Sequence, residues 1–361
     1  VALLDRIRAV AADVLAPAAP AVDAADRIPA GHLAALAEAG AFAIRRDLLP
    51  PAEFGAISEA LAGACGATAF VWQQHGGPLG LAANGPAALR ARWADTLASG
   101  RALGGVCFAH LRRAGPAVLR AEPDGPGWRF VGEAPWATSW GTAAVFAVAA
   151  ATADDRIVWA FVDGHEQPGL TASAPLALSV FRATSTVRLS FEHFRVAPDA
   201  VAAVQPGAAW RRADLVAGNR CNPAVLGVAA AAVERLTGEP PPAAATAAAL
   251  RDRLDAVRCR WVALATDPTP DLDDLASHRS AALTLAGEAT NALLAAVAGG
   301  GMLLDHPAQR LAREAAFYTV QAQTPLGRTR RLADLARGRA GRPRRPALSW
   351  SRTVRRVDGR G

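Results

Sequence analysis

A chain of 361 residues that is 52% hydrophobic has apolar material for a large core in two or three structural units, which excludes a disordered or fibrous protein. The net charge of +7 is unevenly placed: residues 328–361 hold twelve Arg against Asp334 and Asp358, which is +10, so the rest of the chain carries −3. An acidic body with a basic end and no recognition motif argues against nucleic acid as a partner. All 39 basic residues are Arg.

In chain order, the first segment, "VALLDRIRAVAADVLAP", places Leu4, Ile7, Val10 and Val14 at helical spacing with charges between them. It predicts an amphipathic helix rather than a signal peptide. "HLAALAEAGAFA", "FGAISEALAGACGATAFVWQQH" and "GPAALRARWADTLASG" continue the helical pattern, so residues 1–103 are expected to form an N-terminal helical domain. From Gly104 the pattern changes to short β-branched and aromatic runs, "WRFVG", "AAVFAVAAAT", "RIVWAFVD" and "STVRLSFEHFRV". These predict a small central β domain over 104–205. Ala134–Ala153 is uncharged for 20 residues, but Pro135, Gly141, two Trp and several hydroxyl residues break it into strand, turn and strand rather than a membrane span. Helical spacing returns over 206–336, and residues 337–361 read as an Arg-rich, disordered tail. The fold class expected is therefore α+β, mainly α, with helices, then a small β-barrel or sandwich, then a C-terminal four-helix bundle.

Metal and nucleotide motifs are missing. Cys65, Cys107, Cys221 and Cys259 are far apart with no CxxC spacing, so reduced core thiols of a cytoplasmic protein are expected, and no metal. There is no HExxH, GxSxG or Walker loop, and the glycines of "GPGWRFVG" do not lead from a strand into a helix.

Four runs, in order, carry a resemblance: the hairpin "PDGPGWRFVGEAPW", the segment "PWATS", the closing segment "STVRLSFEHFRVAP", and "AGGGMLLDHPAQRLAREAAFY". The chain resembles the acyl-CoA dehydrogenase superfamily over about residues 1–335. The resemblance implies FAD, with FMN as the alternative, and a homodimer or homotetramer. It puts Trp136 against the flavin ring, Thr138 at its reactive nitrogen, Ser139 at the turn that follows, and Gly299 and Gly300 near the cofactor by backbone approach. A flat, polarisable ring needs an apolar wall and a few oriented polar groups, which suits these residue types. Core packing of Trp136 and Trp140, and a plain helix-ending turn at the glycines, are the structural alternatives.

Three departures from the family pattern accompany the resemblance. Phe108, Ala109 and His110 stand where Thr-Glu-Pro would begin, so only main-chain cofactor contacts are expected there, Phe108 among them. Ala322 falls at the usual position of the catalytic glutamate, and the position used by relatives with an earlier glutamate falls near Ala217. Ala322 and His110 are thereby placed along the substrate path. The Arg-x-x-Phe-Gly loop that reaches a neighbouring subunit's cofactor has no counterpart between Leu236 and Leu272. Asp214, with Asp305 behind it, is the substitute carboxylate, and His75, read as ending a helix at the cleft, is the candidate proton donor. Two functions follow: a flavin-dependent oxidoreductase of monooxygenase or atypical type acting on a small molecule or acyl thioester, and a non-catalytic binding or assembly subunit of the same fold.

Overall fold

The computed structural model describes residues 2–340. In the N-terminal region α1 (Leu3–Val10) passes through a wider π-helical turn at Ala11–Leu15 into α2 (Ala16–Ala24). Ile7, Ala11, Leu15, Ala19 and Val22 recur three or four apart and are all buried, so one face of this continuous rod supplies the core contact. Helices α3 (Ala30–Glu38), α4 (Pro51–Ala64), α5 (Gly66–Asn84), α6 (Ala87–Leu89) and α7 (Asp95–Ala98) follow.

Eight strands come next: β1 (Gly104–Cys107), β2 (Leu119–Asp124), β3 (Gly127–Ala137), β4 (Val145–Ala151), β5 (Arg156–Asp163), β6 (Leu170–Ala172), β7 (Val187–Val196) and β8 (Val201–Pro206). They form one sheet ordered β6-β7-β3-β2-β4-β5-β8, with β1 parallel to β4. The two halves meet at one residue pair, Arg120 with Ala151. β4 and β5 are uncharged in their interiors because both faces are covered. Phe146, Val148 and Ala150 face the main core, whereas Val145, Ala147 and Ala149 face a second core built with Leu79, Leu97 and Trp210. Alternate residues of one strand thus hold different structural units against the sheet.

The C-terminal region holds α8 (Gly207–Asn219), α9 (Ala224–Thr237), α10 (Ala243–Thr266), α11 (Leu272–Val297), α12 (Pro307–Val320) and α13 (Pro325–Ala340). Asp271 caps α11 by accepting from the Asp274 N–H at 2.9 Å, and His306 caps α12 by accepting from the Ala308 N–H at 3.2 Å. Helices α9 to α12 pack on one another and α4 lies along α9. α11 with the turn that follows it is long and apolar enough to cross a membrane, but Leu275, Ala282, Leu285, Ala286 and Ala289 bury one face in the bundle. The expected tail is corrected at its start: residues 337–340 are the last turn of α13, and the remainder lies outside the described residues.

The α4–α9 contact depends on small residues. A Cβ on Gly227 would sit 2.4 Å from the Glu59 carbonyl oxygen, and one on Gly63 would sit 3.0 Å from the Gly227 carbonyl oxygen. Gly287, on α11, has nothing within 4 Å. Gly227→Ala is expected to cost about 1–3 kcal/mol by forcing these helices apart. Gly287→Ala is expected to be neutral or to gain about 0.5–1 kcal/mol from helix propensity. Urea unfolding of both variants checks the contrast.

Candidate functional site

A cavity of about 1130 Å³ opens where α5, the end of β3, the loop between β6 and β7 and the ends of α8 and α12 converge. Trp136, Thr138, Phe108, Ala217 and Ala322 all line it, on four separated stretches of chain. The two tryptophans of "PWATSW" have different surroundings. Trp136 is 50% exposed at the cavity, whereas Trp140 packs on Phe146 with ring centres 5.7 Å apart.

The turn that ends this wall is held by backbone bonds. Ser139 has φ +73°, and its N–H donates to the Thr184 carbonyl at 2.7 Å, while the Trp140 N–H donates to the Ser185 carbonyl at 3.2 Å. Phe181 and Ser185 also have positive φ, at 60° and 44°, so the opposing loop is strained in the same place. Ser139 does not line the cavity, and its buried hydroxyl has no hydrogen-bond partner.

The hydroxyls beside Trp136 form a chain with a defined proton order. Thr184 Oγ1 donates to the Phe181 carbonyl at 2.8 Å, which spends its proton. In the 2.9 Å contact between Thr184 and Thr186 the donor is therefore Thr186, and in the 3.2 Å contact between Thr138 and Thr186 it is Thr138. Thr138 is left with lone pairs, so toward the cavity it accepts.

Another part of the lining is set by Arg279, which is 8% exposed on α11. Its guanidinium donates to the carbonyls of Gly218, Gln321 and Ala322, the last at 3.2 Å, so it ties the end of α8 to the segment after α12. Ala322 takes φ +51° at this point. Loss of water around the buried Arg279 guanidinium pulls it below its ordinary pKa, and the charge of Arg112 adds to the effect. Sequence reasoning missed this residue. Its signal was a charge on the apolar stripe of Leu275, Ala282, Leu283 and Ala286.

Other expected residues are employed elsewhere. His75 does not end a helix: α5 continues through Gly76, Gly77 and Pro78 to Asn84. The ring lines the cavity but is 2% exposed, accepts from the Gly104 N–H at 3.0 Å through Nδ1, and packs edge-on against Phe42. Burial lowers its pKa to about 4, so it is neutral at pH 7. His110 is not on a solvated entry loop. It is 5% exposed and away from the cavity lining, its Nε2 hydrogen-bonds the Ala149 carbonyl at 2.8 Å, and burial lowers its pKa to about 4. Asp214 lies outside the lining and is held by Arg112 through two hydrogen bonds of 2.9 and 2.7 Å, so both oxygens are engaged. Gly299 and Gly300 lie in a 3-10 turn, Ala298–Met302, with open space where a Cβ would be, and neither reaches the cavity. Asp305 is exposed on the following loop. Phe108 lines the cavity, with its ring against Trp159 and under the Arg112 guanidinium.

Among the described residues the cavity wall has one carboxylate, Asp47, which is paired with Arg45. No group of three or more His, Cys, Asp or Glu side chains among them has the arrangement to hold a metal ion.

With this geometry in place, residues 1–101 match the family model described as acyl-CoA dehydrogenase, N-terminal domain. The chain as a whole has the acyl-CoA dehydrogenase fold. A glutaryl-CoA dehydrogenase from Mycobacterium smegmatis in complex with FADH2 superposes with TM-score 0.77 at 16% identity, covering 94% of this chain and 95% of that one. A nitrososynthase from Micromonospora carbonacea var. africana gives 0.73 at 23% identity, covering 94% and 95%. KijD3, in complex with FMN and dTDP-3-amino-2,3,6-trideoxy-4-keto-3-methyl-D-glucose, gives 0.72 at 22% identity, covering 93% of each chain. A comparison with curated protein sequences finds no match. The resemblance to the superfamily thus holds by sequence for the N-terminal region and by fold for the chain.

The two buried histidines generate a pH prediction. Unfolded, each takes up a proton near pH 6.5; folded, not until about pH 4, so between these values the unfolded chain binds more protons and acidification favours it. Stability is expected to fall by about 2 kcal/mol per histidine between pH 7 and pH 5. Urea unfolding at both pH values, compared with the His75→Asn/His110→Gln double variant, tests this, and the variant is expected to lose most of that pH dependence.

Proposed function

We propose that the chain is a flavin-dependent oxidoreductase of monooxygenase type, which binds FAD or FMN in this cavity and lacks the base of an acyl-CoA dehydrogenase. The observation that carries the reading is a single cavity lined by half-exposed Trp136, buried Thr138 and the Gln321–Ala322 segment, with a volume large enough for a ring and a substrate. The flavin supplies two-electron chemistry when bound and, in its reduced form, the electrons for oxygen. Trp136 offers an apolar face, and Thr138, as an acceptor, suits an N–H on a ring edge. Phe108 and Trp159 extend the apolar lining, which keeps water from the reacting centre. Arg279 supplies fixed positive charge in the same cavity, where developing negative charge is stabilised.

Proton abstraction next to a thioester carbonyl requires a carboxylate within hydrogen-bond reach. Methyl groups occupy both places where the family pattern puts one, Ala217 and Ala322, and Asp214 is committed to Arg112. An oxygen-dependent reaction has no such requirement. It consumes oxygen, two protons and the two electrons of a reduced flavin, placing one oxygen atom on the substrate and releasing the other as water. The substrate is a small molecule, and a homo-oligomer is the proposed assembly. The neighbouring structures with FMN and with FADH2 support either flavin.

Trp136→Ala is expected to retain less than about a tenth of the flavin held by the unsubstituted protein after desalting, because a large stacking face is lost. Thermal unfolding should be little changed, since the ring is half exposed. The class of reaction is tested on flavin-loaded protein: anaerobic butyryl-CoA is expected to leave the visible flavin bands intact. Bleaching by that thioester would restore the dehydrogenase reading. Failure of any flavin to bind would favour the non-catalytic subunit.

A further inference from the structure

Six arginines line the cavity: Arg45, Arg46, Arg112, Arg220, Arg279 and Arg313. Three have carboxylate partners. Arg45 pairs with Asp47, Arg112 with Asp214 at 2.7 Å and Arg313 with Asp23. Arg279 is satisfied by three carbonyls, as above. That leaves Arg46 and Arg220, for which no ion pair is present among the described residues.

Both are placed for a ligand. Arg46 follows Ile44 in the segment between α3 and α4, and its guanidinium lies 5.6 Å from the ring centre of Phe54, a second lining residue. Arg220 directly follows α8, and its buried Nε has no hydrogen-bond partner. The loop that carries it is anchored by Asn222, whose amide donates to Gln73 Oε1 at 3.0 Å. Arg46 and Arg220 line the same cavity, and Arg46 is pulled below its ordinary pKa by burial and by the charge of Arg220, so the two cations repel each other. Holding two like charges together in a concave, largely apolar site costs stability, and an anion between them reverses the sign of that interaction.

We propose that Arg46 and Arg220 form a seat for an anionic group of the substrate, a phosphate or a carboxylate. This rests on the cavity being the substrate site in the reading above, and it adds that the substrate enters with its negatively charged end toward the α3–α4 segment. Guanidinium groups present paired N–H donors to either anion, which fixes orientation as well as charge. The reacting part of the substrate would then lie toward Trp136 and Ala322, on the other walls of the same cavity.

The seat is tested by isothermal titration of the full-length protein, with and without saturating FMN, using inorganic pyrophosphate, ADP and octanoate as probes. Saturable binding of at least one probe in both states is expected. Arg46→Gln and Arg220→Gln should each weaken it at least tenfold, Arg46→Lys should recover part of the loss, and Arg251→Gln, on α10 and outside the cavity, should change it less than twofold. Preference for pyrophosphate and ADP assigns the seat to phosphate, and preference for octanoate assigns it to carboxylate. No saturable binding, or unchanged binding in both Gln variants with native circular dichroism, overturns the proposal. Loss of probe binding when FMN is added also overturns it, by assigning the arginines to the flavin's own phosphate. If FMN does not bind, the flavin reading fails while the titrations without it still judge the seat.

Discussion

A guanidinium buried without a carboxylate must find its acceptors in the backbone, and Arg279 does so by drawing three carbonyls from two distant stretches of chain. Gly218 ends α8, and Gln321 and Ala322 follow α12, so neither stretch can shift without leaving a buried N–H unsatisfied. The positive φ of Ala322 is part of the same arrangement. One side chain thus fixes the part of the cavity lining that Gly218, Gln321 and Ala322 surround, while backbone bonds from Ser139 and Trp140 pin the turn beside Trp136.

The electrostatics of the cavity follow from that choice. A wall closed by arginine rather than by a carboxylate favours anions and negative charge that develops during reaction, and offers no base to take up a substrate proton. The remaining acids near the cavity do not reverse this, because Asp23, Asp47 and Asp214 each neutralise a neighbouring arginine. Thr138, whose proton is spent along the Thr186 and Thr184 hydroxyls, adds an acceptor to the same lining.

The architecture was legible where one physical period dominates. The helical spacing read on Leu4, Ile7, Val10 and Val14 marked the first helix, although of these only Ile7 is fully buried and the core face runs on through Ala11, Leu15 and Ala19; "PWATS" marked the cavity wall because an aromatic, a turn and hydroxyls adjoin there. The site's charged half was less legible. Arg46 and Arg220 are ordinary surface-like residues in sequence, and only the fold, which turns the α3–α4 segment and the end of α8 toward one cavity, brings them to the same lining. His75 and His110 looked available because histidine chemistry was weighed without knowing their packing. β4 and β1 close over them, and each ring became a backbone hydrogen-bond partner. Asp214 was read by its distance along a helix, but Arg112, 102 residues away in sequence, holds its carboxylate.

The most direct test of the account is a crystal structure of the protein grown after incubation with FMN or FAD. The account predicts ring density in the cavity, with one face against Trp136 and a ring edge within hydrogen-bond distance of Thr138 Oγ1, and with the Arg279 contacts to Gly218, Gln321 and Ala322 unchanged. Flavin bound elsewhere on the chain, or a cavity that closes on its own side chains under saturating flavin, would contradict it.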